Sequence, residues 1–255
     1  MKAAQASVVL TGAAGGIGAP TARALAAAGA RLLLVGRDGA RLEALAAALG
    51  AAWLAADLTT PEGLDAVRRA ALEREANVLV NNAGIASFGR LDALDPAHLV
   101  DVIETNLVAP MLLTRALQPG QQRQREAAVI NVGSVLGRLG LPGFSVYSAA
   151  KFGLRGFSEA LRRELADTSV KVQYLGPRVT ATGFNSAEVE AYNRATRTPA
   201  DRPEAVAQAL VALLESGRAE RFLGFPEKLA VRLNGAAPAA LDGAFGRHRR
   251  ALASS

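Results

Sequence analysis

Strand-length runs of apolar residues recur along this chain, each separated from the next by a stretch with helical spacing. SVVLT at 7–11, RLLLV at 31–35, a short run at 52–55, NVLVN at 77–81, AVINV at 128–132 and VKVQYL at 170–175 make the series. Helical patterns fall near 17–28, 40–49, 97–117 and 145–165, and another opens at Asp201 and Pro203 and runs to about 216. A further helix is announced by TTPEG, where Thr60 can cap and Pro61 suits the first helical position. RFLGF at 221–225 supplies a last strand. Apolar strands joined through helices must lie in a parallel sheet covered on both faces. The expected class is therefore α/β, a doubly wound parallel sheet in one domain over residues 1–225. A basic, partly helical C-terminal extension is expected over 226–255.

Ligands of such sheets bind beyond the carboxyl ends of the strands, at the point where the winding reverses. The first strand runs into TGAAGGIG, residues 11–18, with Gly12, Gly16 and Gly18 in a G-x-x-x-G-x-G arrangement. A glycine cluster alone marks only a turn, but between a strand and a helix it lets backbone amides and the helix dipole receive a pyrophosphate. The sheet is therefore expected to be Rossmann-like and to bind a dinucleotide through Gly12, Ala14, Gly15, Gly16, Ile17 and Gly18. At the end of the second strand, where an acid usually holds the adenosine ribose, stand Gly36 and Arg37. A guanidinium grips a 2′-phosphate that an acid would repel, so NADP(H) is favoured over NAD(H). Asp38 is placed either to read the ribose or to cap the following helix.

Composition removes other classes. No apolar run approaches the ~20 residues that span a bilayer, and the N-terminus enters a strand without the apolar core of a signal peptide. Cysteine is absent, which fits a cytoplasmic protein. Only two histidines are present, His98 in an ordinary helical pattern and His248, so no metal site is expected. The net charge of +6 and the isoelectric point near 10.3 invite nucleic acid. However, from residue 218 onward there are seven Lys or Arg against three Asp or Glu, and aromatic residues make up only 5%. The charge is thus largely C-terminal and lacks a stacking platform, so no nucleic acid partner is expected.

In SVYSAAKFGLRGFSEALRREL, residues 145–165, Tyr147 and Lys151 stand one helical turn apart, about 5–6 Å between β-carbons. An isolated pair of this kind is usually a solvated helix face. The chemical reading is that the ammonium pulls the phenol down from about 10 toward working pH, making it a usable proton donor.

Together TGAAGGIG, Asp57, NNAG at 81–84, Asn106, Ser134, Tyr147 and Lys151 resemble, in order and spacing, the short-chain dehydrogenase/reductase (SDR) family over about residues 7–225. The resemblance implies that Asp57 and Leu58 border the adenine and that Asn82, Ala83 and Gly84 pack beside the cofactor and steady the sheet. It implies that Tyr147 is the catalytic acid/base and that Lys151 lowers its pKa and holds the nicotinamide ribose. Ser134 then orients the substrate oxygen, and Asn106 anchors a water linking Lys151 to solvent. Pro177, Val179 and Thr182 match the family's nicotinamide-carboxamide segment in register, whereas Arg178 stands where glycine is common, adding bulk and charge. Read without the family, Asp57 is equally a turn residue.

The leading expectation is an NADPH-dependent oxidoreductase reducing a ketone or 3-oxoacyl carbonyl, possibly carrier-linked. An NAD-linked alcohol dehydrogenase and a non-catalytic nicotinamide redox sensor are the alternatives. Leu136, Leu141, Phe144 and Phe184 predict a mainly apolar substrate pocket, and residues 183–200 a lid. A homo-oligomer, dimer or tetramer, is expected, although the usual C-terminal Gly-Gly ending of the family is replaced. At the C-terminus Leu241, Phe245, His248 and Leu252 share one helical face, expected to dock on the chain itself or on a second subunit rather than on a membrane.

Overall fold

Among the described residues seven strands form one sheet in the order β3-β2-β1-β4-β5-β6-β7, with every pairing parallel. They are β1 (Ser7–Thr11), β2 (Arg31–Gly36), β3 (Ala52–Ala55), β4 (Val78–Asn81), β5 (Ala127–Val132), β6 (Val170–Gly176) and β7 (Glu220–Phe222). The structure is a computed structural model that describes residues 1–225, 231, 233–235 and 237–253. The winding reverses between β1 and β4, so the loops after these strands open a crevice at their carboxyl ends.

Successive side chains of a strand point to opposite faces, and the core divides accordingly. Val8 and Leu10 of β1 pack with Leu32, Leu34 and Ile130 beneath α1 (Gly18–Ala27), α2 (Gly39–Leu49) and α8 (Pro203–Ser216). Val9, Leu33, Leu79 and Val129 face the other way, onto α3 (Pro61–Glu73), α5 (Ala109–Gln122) and α6 (Ser145–Glu164). Asp38 caps α2 by accepting from the Arg41 amide, and Thr60 caps α3 with Pro61 behind it. One carboxylate oxygen of Asp38 is thereby engaged at the helix start.

The single helix expected near 97–117 is three segments: α4 (Pro96–Ile103), a π-helical turn (Glu104–Val108) and α5. Residues 183–200 contain a regular helix, α7 (Ala187–Thr196), capped by Ser186 and burying Val189, Tyr192 and Thr196. β7 ends earlier than RFLGF suggested: Gly224 turns at φ +86° and Phe225 is 77% exposed.

A buried polar ladder ties the helical layer to the sheet below the crevice. Asn81 Nδ2 donates to Asn131 Oδ1 at 2.8 Å and to Thr114 Oγ1 at 3.2 Å, and Asn131 Nδ2 donates to Ser158 Oγ at 2.8 Å. Each unmade buried hydrogen bond costs about 1–3 kcal/mol. Asn131→Ala should therefore lower unfolding stability by at least that amount in urea titrations. An unchanged midpoint would mean the ladder contributes nothing.

The C-terminal segment docks on the chain itself, through α9 (Gly246–Ala253) and the 3₁₀ turns before it. His248 Nδ1 lies 2.7 Å from the Tyr192 hydroxyl, Phe245 joins the cluster around Val135 and Leu136, and Leu252 lies against Gly143. Among the described residues no helix is long and apolar enough to cross a membrane.

Candidate active site

A cleft of about 470 Å³ runs from the glycine loop past β4 and β5 to α7. Its first wall is TGAAGGIG. Gly12 has φ +62°, where a Cβ would meet Ala83 Cα at 2.8 Å, and a Cβ on Gly18 would run into the Gly12 carbonyl. A Cβ on Gly16 would overlap Thr182, so the 177–182 segment lies directly across the loop. The loop is braced from β4: Asn82 Nδ2 donates to the Thr11 and Gly12 carbonyls, while the Asn82 and Ala83 amides donate to Thr11 Oγ1. Ile17 precedes α1 without a side-chain cap. A helix N-terminus left open behind a glycine loop suits the phosphates of a dinucleotide.

At the β2 end Arg37 and Arg41 both line the cleft, and Arg41 Nη2 donates to the Ala14 carbonyl at 2.7 Å. Arg41, absent from the sequence reading, stands in the first turn of α2 and brings a second guanidinium-bearing residue to this end of the cleft. Asp57 and Leu58 do not line the cleft. The Asp57 carboxylate accepts from the Thr59 amide and hydroxyl, bonds that hold it below the usual carboxylate range with help from Arg37. These bonds fit the turn reading of Asp57.

Deeper in, four predicted residues converge. Ser134 extends from the end of β5, accepts from the Leu136 amide at 3.0 Å, and sits close enough to the Tyr147 phenol to draw its pKa down. Lys151, one turn along α6 from Tyr147, is buried; its Nζ donates to the Val132 carbonyl at 3.2 Å and lies 5.6 Å from the Tyr147 ring centroid. Asn106 sits in the π-helical turn, fully buried, with Oδ1 accepting from the Ile85 amide at 2.8 Å and Nδ2 donating to the Ile85 carbonyl at 2.9 Å. Gly84 closes the group: a Cβ there would come within 2.9 Å of Asn106 Oδ1 and 3.8 Å of Lys151 Nζ.

The electrostatics differ from the sequence expectation. Burial pushes the Tyr147 phenol up, opposed only by the Ser134 hydrogen bond, and burial lowers Lys151 to about 8. A buried ammonium disfavours its own charge before it can lower its neighbour's pKa. Lys151 is therefore charged below about pH 8 and neutral above it, and the phenol keeps its proton through the neutral range.

Arg178 does not bring free charge to the cleft. Its Nε and Nη2 donate to Asp201 Oδ1 at 3.0 and 2.7 Å, and the Asp201 backbone pairs with Val179 and Ala181. Pro177, Val179 and Thr182 line the cleft as expected, as do Leu136, Leu141, Phe144 and Phe184, with Tyr192 added from α7. His98 bonds the Ala86 carbonyl at 3.0 Å, and among the described residues no group of His, Cys, Asp or Glu is arranged to hold a metal ion.

Residues 6–193 match the short chain dehydrogenase family. The chain belongs to that family. It is an oxidoreductase of the short-chain dehydrogenase/reductase type, and a nicotinamide cofactor goes with that membership. It is 33% identical to dehydrogenase/reductase SDR family member 7B of Bos taurus over 91% of this chain and 77% of the relative. It is 34% identical to the 3-oxoacyl-acyl-carrier-protein reductase FabG of Vibrio cholerae over 85% and 92% of the two chains. A crystal structure of a short-chain dehydrogenase from Streptomyces avermitilis superposes with a TM-score of 0.81 at 31% identity, covering 94% of this chain and 96% of that one. Membership accounts for why the glycine loop, the NNAG turn and the Tyr147 helix meet at one crevice.

Proposed function

We propose that the protein is an NADPH-dependent carbonyl reductase acting on a ketone or 3-oxoacyl group. The observation that carries the reading is that Tyr147, Ser134 and Lys151, with Asn106 buried behind them, line one end of a cleft whose other end offers two guanidinium groups, with Asp38 beside them engaged through one oxygen in capping α2. NADPH fits this wall: the open N-terminus of α1 and the glycine loop receive the pyrophosphate, Arg37 and Arg41 the 2′-phosphate, and Lys151 the nicotinamide ribose. When bound, the nicotinamide supplies the hydride. Tyr147 gives its proton to the carbonyl oxygen, and Ser134 donates to the same oxygen and orients it. The charge on Lys151 stabilises the phenolate that proton transfer leaves behind. Asn106 holds the Ile85 main chain, and with it Gly84, beside Lys151.

Phe144, Phe184, Tyr192 and Leu141 give the substrate end an apolar lining that suits an acyl or aryl ketone. The FabG relative makes a carrier-linked 3-oxoacyl thioester one member of that class. Val108 of the π-helical turn, Met111 and Leu112 of α5 and Phe152 of α6 are exposed, which supports assembly with a second copy.

NADPH oxidation measured against a panel of ketones and 3-oxoacyl thioesters tests the reading. Turnover faster with NADPH than with NADH is the expected result. Cofactor binding without turnover across the panel would overturn it in favour of a redox sensor, and preference for NAD with alcohols in favour of a dehydrogenase. A charge-assisted hydrogen bond contributes about 1.5–3 kcal/mol, so Arg37→Ala should weaken NADPH by about one to two orders of magnitude and leave NADH nearly unchanged. Equal losses for both cofactors would remove Arg37 as a phosphate reader.

A further inference from the structure

A buried tyrosine that the proposed chemistry does not use stands directly behind Ser134. Tyr174 of β6 is 1% exposed, and its hydroxyl accepts from the Ser134 amide at 3.1 Å and donates to the Ser134 carbonyl at 3.0 Å. One hydroxyl therefore meets both main-chain polar groups of one residue, using its single hydrogen and one lone pair.

The sheet explains why those groups need a partner. Past the last paired residues of β5 and β6, the Gly133 amide still donates to the Leu175 carbonyl and the Val135 amide to that of Pro177, both at 2.8 Å. In a parallel ladder alternate residues address opposite neighbours. Ser134, extended at φ −162° and ψ 163°, therefore turns its own amide and carbonyl away from β6, toward the side where β4 has already ended at Asn81. Its carbonyl also accepts from Gly137 in the following 3₁₀ turn, but its amide has the Tyr174 hydroxyl. Gly133 and Gly137 make room for the crossing: a Cβ on either would overlap the Tyr174 side chain. Burial pushes the Tyr174 phenol up, so the group stays neutral and remains a donor.

We propose that Tyr174 is a positioning residue, whose hydroxyl substitutes for the missing neighbour strand and fixes the Ser134 main chain so that its hydroxyl points at the substrate oxygen. This rests on reading Ser134 as the group that orients that oxygen. The Ser134 hydroxyl already accepts from Leu136, two residues on, so rotation of the backbone carries the side chain with it.

The test is a double-mutant cycle on NADPH-dependent ketone reduction with wild type, Tyr174→Phe, Ser134→Ala and the double variant. Misplacing a catalytic group by a fraction of its reach costs up to about 10²-fold, so Tyr174→Phe should lower kcat by roughly tenfold to 10²-fold with NADPH affinity unchanged. In the Ser134→Ala background the same change should cost nothing further, because Tyr174 acts through Ser134. A wild-type kcat in Tyr174→Phe, or an equal loss in both backgrounds, would overturn the proposal and leave Tyr174 as packing against Phe222. Full activity in Ser134→Ala would instead defeat the underlying reading of the serine. Amide exchange in the wild-type protein covers the case in which Tyr174→Phe does not fold. The Ser134 amide should exchange as slowly as core strand amides, and fast exchange would sink the clamp.

Discussion

Tyr147→Phe is expected to cut carbonyl reduction by about 10²–10⁴-fold, the range for removing a positioned general acid, while NADPH still binds. The substitution keeps the ring, which packs edge-on against Phe184 at 6.2 Å between centroids, and removes only the hydroxyl that meets Ser134. Loss of packing therefore cannot account for the effect. Burial holds the phenol above its ordinary value, so its protonated form dominates throughout the neutral range and suits donation to a carbonyl. Steady-state kinetics with the best carbonyl of the panel, paired with a fluorescence titration of NADPH, separate chemistry from binding. Near-native turnover in the variant would falsify the assignment of Tyr147 as proton donor.

The architecture was legible because a doubly wound sheet writes itself as apolar strands alternating with capped helices. Thr60-Pro61 marked the start of α3, and the glycine loop marked the crevice before any geometry was known. The cluster of Tyr147, Lys151, Ser134 and Asn106 was legible from order and spacing, although only the fold shows that they meet. What the sequence concealed depends on contacts distant along the chain. Tyr174 reads as one more apolar residue of a core strand until Gly133 and Gly137 are seen to open a path for its ring. The π-helical turn that buries Asn106 shifts the apolar phase by only one residue, too little to separate from an ordinary helix in so short a stretch. Arg178 looked like a charge intruding on the cleft, and the fold pairs it with Asp201, 23 residues away. Lys151 misled in a different way. Adjacency to Tyr147 predicted a lowered phenol, but desolvation acts on each group alone and outweighs their mutual effect at this depth.

That depth sets the behaviour expected of Lys151. Its ordinary value of 10.5 falls to about 8 in the folded protein because burial disfavours the ammonium. Below about pH 8 the group is charged in folded and unfolded chains alike, and the folded state bears the full cost of burying that charge. Between about 8 and 10.5 the unfolded chain binds the proton that the folded one has released, so the lysine's contribution to stability becomes more favourable as pH rises. Lys151→Met removes the titration. The stability difference between wild type and variant should then move in favour of wild type across that window, as read from urea midpoints at several pH values. Catalysis should run the opposite way. Above about pH 8 the ammonium that stabilises the developing phenolate is lost, so wild-type reduction should be flat below that value and fall beyond it. Removing one preorganised electrostatic group costs about 10²–10³-fold in kcat, and Lys151→Met should lose that much at neutral pH. The variant should also bind NADPH more weakly and show no fall in rate near pH 8. A variant that keeps both the wild-type rate and the wild-type pH profile would show that the ammonium takes no part in the proton transfer.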